Sequence, residues 1–121
     1  MATIDITEEN FNDTISDNDI VFIDFWASWC GPCRSFAPVF KRASNKHTDI
    51  VFGKINTEEQ QALAGSFNVR SIPTLSIFKE KVLVFSQPGA LPPPALDSLA
   101  EQVRALDMDE VRKQMAEEQK K

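Results

Sequence analysis

No stretch of this chain approaches the apolar length needed to cross a bilayer, so a membrane protein is not expected. The first residues, MATIDITEEN, offer neither a basic segment nor an apolar one. A secretory signal is therefore not expected, and the cytoplasm is the expected compartment. A basic surplus is missing too: 13 Lys and Arg stand against 18 Asp and Glu, for a net charge of -5. That argues against nucleic acid or an anionic membrane as a partner, since both need a basic face. Two cysteines are too few to frame a disulfide-stapled secreted fold, and no internal repeat is visible. What is present is globular composition, 42% hydrophobic and 26% charged with the charges scattered. A chain of 121 residues holds one domain with a real core and is too short for two ordinary ones.

The run IVFIDFWA, residues 20–27, is almost continuously apolar and rich in branched and aromatic side chains, as a strand buried on both faces requires. After Gly31 and Pro32 the spacing of Phe36, Val39 and Phe40 turns helical, with Pro38 expected to kink the helix. IVFGKI (50–55) reads as a strand. TEEQQALAGSF (57–67) reads as a helix opened by a capping box of Thr57 and Gln60. TLSIF (74–78) and VLVF (82–85) read as a hairpin across Lys79, Glu80 and Lys81. PGALPPPAL (88–96) reads as a loop, after which Leu96, Leu99, Val103 and Leu106 form a helical stripe. With a short first strand (3–6) and a first helix (8–17), the order is βαβαβαββα. This predicts an α/β fold, parallel through three strands and closed by an antiparallel hairpin. Beyond Asp107 the tail loses most apolar residues but keeps helix formers, so it reads as a solvated continuation of the last helix or a frayed end.

Cys30 and Cys33 are the only sulfur pair the cysteines can make, and they flank Gly31 and Pro32. At the mouth of a helix that follows a central strand, free backbone N–H groups and the helix dipole favour the thiolate of Cys30, which makes it a nucleophile. Cys33 falls three residues later, within reach of a disulfide that can open and close. Pro32 needs no N–H partner in the first turn and fixes the backbone there. Cys30 is expected to be reachable and Cys33 covered. Trp26 and Trp29 add apolar surface for an extended substrate segment. Asp24, set in VFIDFW without an adjacent cation, is expected to be desolvated and to titrate near neutral pH, as a proton acceptor must. Three blander readings compete. A zinc half-site needs about four ligands, and the chain adds only His47. A static disulfide closing so short a ring constrains the unfolded chain little, and incidental buried thiols leave the spacing unexplained. His47, in the polar run SNKHTD, is expected to be a solvated surface residue.

DFWASWCGPC, together with RSIPT and a downstream PGA, closely resembles the thioredoxin family over about residues 3–106. The resemblance implies a thioredoxin fold, a mixed central sheet flanked by helices on both faces, in a domain of residues 1–106 with a charged extension at 107–121. It implies a protein-disulfide reductase that needs no bound cofactor and no metal. Its partners would be disulfide-containing proteins and an NADPH-dependent flavoprotein, thioredoxin reductase, and it would act as a monomer. Carried onto this chain, Cys30 attacks and Cys33 resolves, with Gly31 and Pro32 between them. Asp24 lies behind the resolving cysteine, with Lys54 as its charge partner. On residue type alone Pro73 is an ordinary trans turn; the resemblance makes it cis and sets it against the cysteines. Trp29, Ile72, Pro73, Gly89 and Ala90 would then form an apolar docking surface for strand-like substrate.

Two rivals remain open. One is an oxidase or isomerase of the same fold, against which Gly31-Pro32 argues because those groups typically carry a histidine between the cysteines. The other is a binding module whose redox state gates a partner, in which the tail would matter most. Three features depart from the family pattern: Lys79-Glu80-Lys81 where a hairpin usually has Asn-Gly, Pro88 before Gly89, and the tail itself.

Overall fold

The computed structural model describes residues 3–120. Strand β1 (Ile4–Asp5), helix α1 (Phe11–Asp17) and strand β2 (Ile20–Trp26) are followed by α2 (Gly31–Lys46), β3 (Val51–Asn56) and α3 (Gln61–Ser66). Then come β4 (Thr74–Lys79), β5 (Val82–Pro88), α4 (Pro93–Arg104) and α5 (Met108–Gln119). The strands pair in the order β1-β3-β2-β4-β5. β1 and β2 run parallel to β3, β4 runs antiparallel to β2, and β5 runs antiparallel to β4. This is the mixed sheet expected from the sequence. β2 has a strand on each edge and helices over both faces, which is why its apolar run is nearly unbroken.

Alternation along β2 sorts its side chains. Phe22 packs with Phe36 and Phe40 of α2, Phe52 of β3, and Leu96, Ala100 and Val103 of α4. Val21, Ile23 and Phe25 pack on the other face with Ile6, Ile15, Ile55 and Leu63. Asp24, two residues after Phe22, therefore lies on the face that α2 covers. α2 runs from Gly31 to Lys46 with Pro38 inside it, so the Arg34 carbonyl has no helical N–H donor at Pro38. No helix among the described residues is long and apolar enough to cross a membrane.

Gly53 sits where β3 is crossed closely by the chain leaving β1. A Cβ there would run into Cδ1 and Cγ1 of Ile6, the latter at 2.6 Å. Ile6 is buried and, being β-branched, has little freedom to turn away. Gly53→Ala is expected to destabilise the fold by about 1–2 kcal/mol, read as a lowered urea midpoint with unchanged slope.

Several expectations need correction. α3 begins at Gln61, not Thr57, because Asn56 caps the turn: its Oδ1 accepts from Glu58 N at 3.0 Å and Glu59 N at 3.3 Å. Thr57 instead donates its hydroxyl to the Trp26 carbonyl at 3.1 Å, so no capping box forms. β5 continues to Pro88, which pairs with Thr74, so the first residue of the supposed loop is strand. The hairpin loop is only Glu80 and Lys81, both left-handed (φ 50° and 70°), the backbone of a two-residue type I′ turn. Lys79 is a strand residue paired with Val82. Leu106 lies past the end of α4 and is 36% exposed.

The tail is neither frayed nor a continuation of α4. Helix α4 ends at Arg104, and Asp107 opens α5 as its N-cap, accepting from Asp109 N at 3.0 Å and Glu110 N at 3.2 Å. Met108 is buried, and Arg112 pairs with Glu80 of the hairpin at 2.5 Å. Lys79, also buried, ends α4: its ammonium donates to the carbonyls of Val103 (2.8 Å), Arg104 (3.0 Å) and Leu106 (3.2 Å). His47 is not a solvated surface residue. It is 7% exposed and near-parallel to the Phe52 ring, with Nε2 2.7 Å from Asp97 Oδ1 and Nδ1 2.9 Å from Arg104. A guanidinium can only donate, so Nδ1 accepts and Nε2–H donates to Asp97.

Candidate active site

β2 delivers the chain to Trp26, and a tight turn carries it into α2. Cys30 N donates to Ala27 O at 3.2 Å, and the Arg34 guanidinium donates to Ser28 O at 2.9 Å. Cys30 is the N-cap of α2, with extended backbone (φ -86°, ψ 114°), and Pro32 occupies the first turn, where its missing N–H costs nothing. The Cys30 sulfur accepts from Cys33 N at 3.1 Å, the place a capping oxygen usually takes. Cys30 and Cys33 are joined in a disulfide, their Cα atoms 5.2 Å apart. The helix end thus points the Cys33 N–H at one sulfur, where developing negative charge is favoured. Both cysteines are nearly covered in this oxidised form, at 4% and 3% exposure, so the expected contrast between a reachable and a covered sulfur is not seen in it.

Two further segments close around the pair. The Ile72–Pro73 peptide is cis, and the Ile72 carbonyl oxygen lies 3.7 Å from Cys30 Sγ. Gly89 donates its N–H to the Pro73 carbonyl at 2.8 Å, with φ 107°, a conformation that favours glycine. Trp29 is 65% exposed, and its Nε1 donates to Glu58 at 3.0 Å. Trp29 and Ile72 line an open groove of about 390 Å³ with residues of α3 and of the segment 69–71, Arg70 among them. The structure thus sets Ile72 against Cys30, with Pro73 next along the chain and bonded to Gly89, and Trp29 one residue before Cys30. Ala90, exposed, follows Gly89.

Asp24 is fully buried, and neither carboxylate oxygen has a hydrogen-bond partner. Burial pushes its carboxyl up to about 7, with the Lys54 ammonium pulling the other way. Lys54 is in register with Asp24 across β2 and β3, but its ammonium lies over the Trp26 ring, 4.8 Å from the centroid. Trp26 is half-buried with its Nε1 covered, so it belongs to the site's floor and not to an exposed docking face. Glu58 and Arg70 had no role in the sequence reading. Nothing local marks Glu58, whose partner is 29 residues away.

The family model described as Thioredoxin matches residues 2–105. The chain belongs to the thioredoxin family. Putative thioredoxin 2 of Streptomyces coelicolor is 55% identical over 118 residues, covering 98% of this chain and 88% of that protein. Among solved structures, a mutant thioredoxin from Halobacterium salinarum superposes with a TM-score of 0.79 at 36% identity, over 88% of this chain and 94% of that one. The thioredoxin of Plasmodium falciparum gives 0.77 at 34%, over 83% and 98%. This thioredoxin-family chain is a dithiol–disulfide oxidoreductase that reduces protein disulfides, and the Cys30–Cys33 pair is its redox-active centre. Its partners are, generically, disulfide-bearing substrates and a reductase that returns the pair to the dithiol.

Proposed function

We propose that the dithiol form works by an ordered exchange in which Cys30 attacks and Cys33 resolves. The Cys30 thiolate attacks one sulfur of a substrate disulfide and displaces the other as a thiolate, leaving a mixed disulfide. The Asp24 carboxylate, with Lys54 as its charge partner, takes the proton of Cys33. The Cys33 thiolate then attacks Cys30 Sγ, forming the internal disulfide and releasing the second substrate sulfur as a thiolate. The observation that carries this order is the Cys30 sulfur in the N-cap position, beside the Ile72 carbonyl at the edge of the groove. Gly31 and Pro32 hold the spacing. Trp29, Ile72, Pro73, Gly89 and Ala90 form the proposed docking surface, with Pro88 stiffening its rim.

In this reading a flavoprotein thioredoxin reductase supplies electrons from NADPH, and no cofactor resides on the chain. The protein acts as a monomer in the cytoplasm, where thiols are kept reduced. Residues 1–106 form the working domain and 107–121 an appended element. Trapping tests the order. Cys33→Ser is expected to accumulate a covalent adduct with a disulfide substrate, visible on a non-reducing gel, whereas Cys30→Ser gives none. An adduct formed by Cys30→Ser alone reverses the assignment.

A further inference from the structure

Three buried polar atoms among the described residues lack a hydrogen-bond partner: both carboxylate oxygens of Asp24 and Nε1 of Trp26. Asp24 and Trp26 lie two residues apart on the same face of β2, and Lys54 stands beside Asp24 on β3. The Lys54 ammonium thus has two neighbours that attract it, a carboxylate and the face of an indole. It lies over the indole.

We propose that Trp26 is a positioning residue for the exchange reaction: its ring face holds the Lys54 ammonium and so leaves the Asp24 carboxylate without a hydrogen-bonded cation. The inference rests on the reading of Asp24 as proton acceptor. A carboxylate clasped directly by an ammonium stays ionised well below neutrality and is a weak base for a thiol. One with no cation nearby would be held protonated by burial. Lys54 above the ring is the intermediate case, close enough to act through space and held off from contact. Indole binds cations best among the aromatic side chains, and an aliphatic residue would fill the space without holding the charge. Among the described residues, the charge that acts on the Asp24 carboxyl is that of Lys54. β4 presents Leu75 opposite it, and the first turns of α2 carry Cys33 and Phe36 inward while exposed Arg34 bonds to Ser28.

The test is a titration of the Asp24 carboxyl carbon by NMR in the disulfide form. It compares wild type, Trp26→Leu and Trp26→Phe, each with and without Lys54→Met. Trp26→Leu is expected to lower the Asp24 midpoint by about one pH unit, as Lys54 moves into contact, while Trp26→Phe, which keeps an aromatic face, moves it by less than about half that. In the Lys54→Met background Trp26→Leu is expected to have no further effect. An unmoved midpoint in Trp26→Leu overturns the proposal, and so does an equal shift without Lys54, which would mean that the ring only excludes water. If Trp26→Leu does not fold, incorporation of ring-fluorinated tryptophan weakens the face at nearly constant shape. A smaller shift in the same downward direction is then expected, and its absence overturns the proposal. Failure of the Asp24 reading itself shows elsewhere, as undiminished insulin reduction by Asp24→Asn.

Discussion

Replacing Asp24 with alanine is expected to make the protein more stable at pH 8 and slower as a reductase. The carboxyl is buried and its titration is pushed up from 3.8 to about 7. For a group whose folded pKa is raised, the folded state binds the extra proton. Below about 4 both states are protonated and burial of the acid carries no ionisation cost. Between about 4 and 7 the unfolded chain ionises first and stability falls as pH rises; above about 7 both are ionised and the loss is complete. Three pH units at about 1.36 kcal/mol each give a loss of about 4 kcal/mol, to order of magnitude. Asp24→Ala removes that loss but leaves a small void costing about 1 kcal/mol. The net gain is about 2–3 kcal/mol at pH 8. Urea melts at pH 8 and pH 4 check it: the advantage must vanish or reverse at the lower pH. A variant less stable than wild type at pH 8 contradicts the burial cost. The same variant is expected to reduce insulin slower by a factor on the order of 10 to 100, since the proposed proton acceptor for Cys33 is gone.

The second large effect lies far from the sulfurs. Lys79→Met is expected to destabilise the fold by about 3 kcal/mol, because it removes one buried ammonium that serves three carbonyls, two in the last turn of α4 and one just past it. A helix leaves its last carbonyls without intrahelical partners, and here Lys79 supplies the donors in place of a glycine-based cap. Methionine has nearly the same length and no donor, so the carbonyls of Arg104 and Leu106 would lose this partner, and that of Val103 would keep the Leu106 N–H at 3.2 Å. A fall in Tm of about 10 °C is the expected readout. Arg112→Ala, which breaks an ion pair whose side chains are 44% and 41% exposed, serves as the control and is expected to shift Tm little. Equal effects from the two variants would show that the cap contributes nothing beyond a surface pair.

Elements with a strong local pattern were legible in advance. β2 is apolar because both of its faces and both of its edges are covered, and Phe36, Val39 and Phe40 carry the period of α2 onto the sheet. The hairpin was located correctly, but its turn was not, since Glu80 and Lys81 take up a left-handed backbone without the residues that usually announce one. Two signals were present and misread. Asp107 followed by Asp109 and Glu110 starts a separate helix, where the composition alone reads as a continuation of α4 or a frayed end. Asn56 before Thr57 is an Asx turn that displaced the expected capping box.

His47 and Lys79 share a different cause. Each is a polar residue in a polar or charged stretch, and nothing close by in the chain tells that Asp97 and Arg104, or the end of α4, will arrive to cover it. Those partners lie 24 to 57 residues away.

The amino-acid sequence alone determined the covalent possibilities: one cysteine pair, spaced for a reversible bond, at a strand-to-helix junction with proline in the first turn. It also determined which strand would be central, because apolar alternation and helix period are local properties that burial then rewards. Only the tertiary structure decided which polar groups lose water. Desolvation is the sum of what every neighbouring element removes from solvent, and those elements come from distant parts of the chain. That sum holds Asp24 near neutrality, sets Lys54 over Trp26 and not in contact with the acid, and turns Lys79 and His47 from surface residues into buried ones.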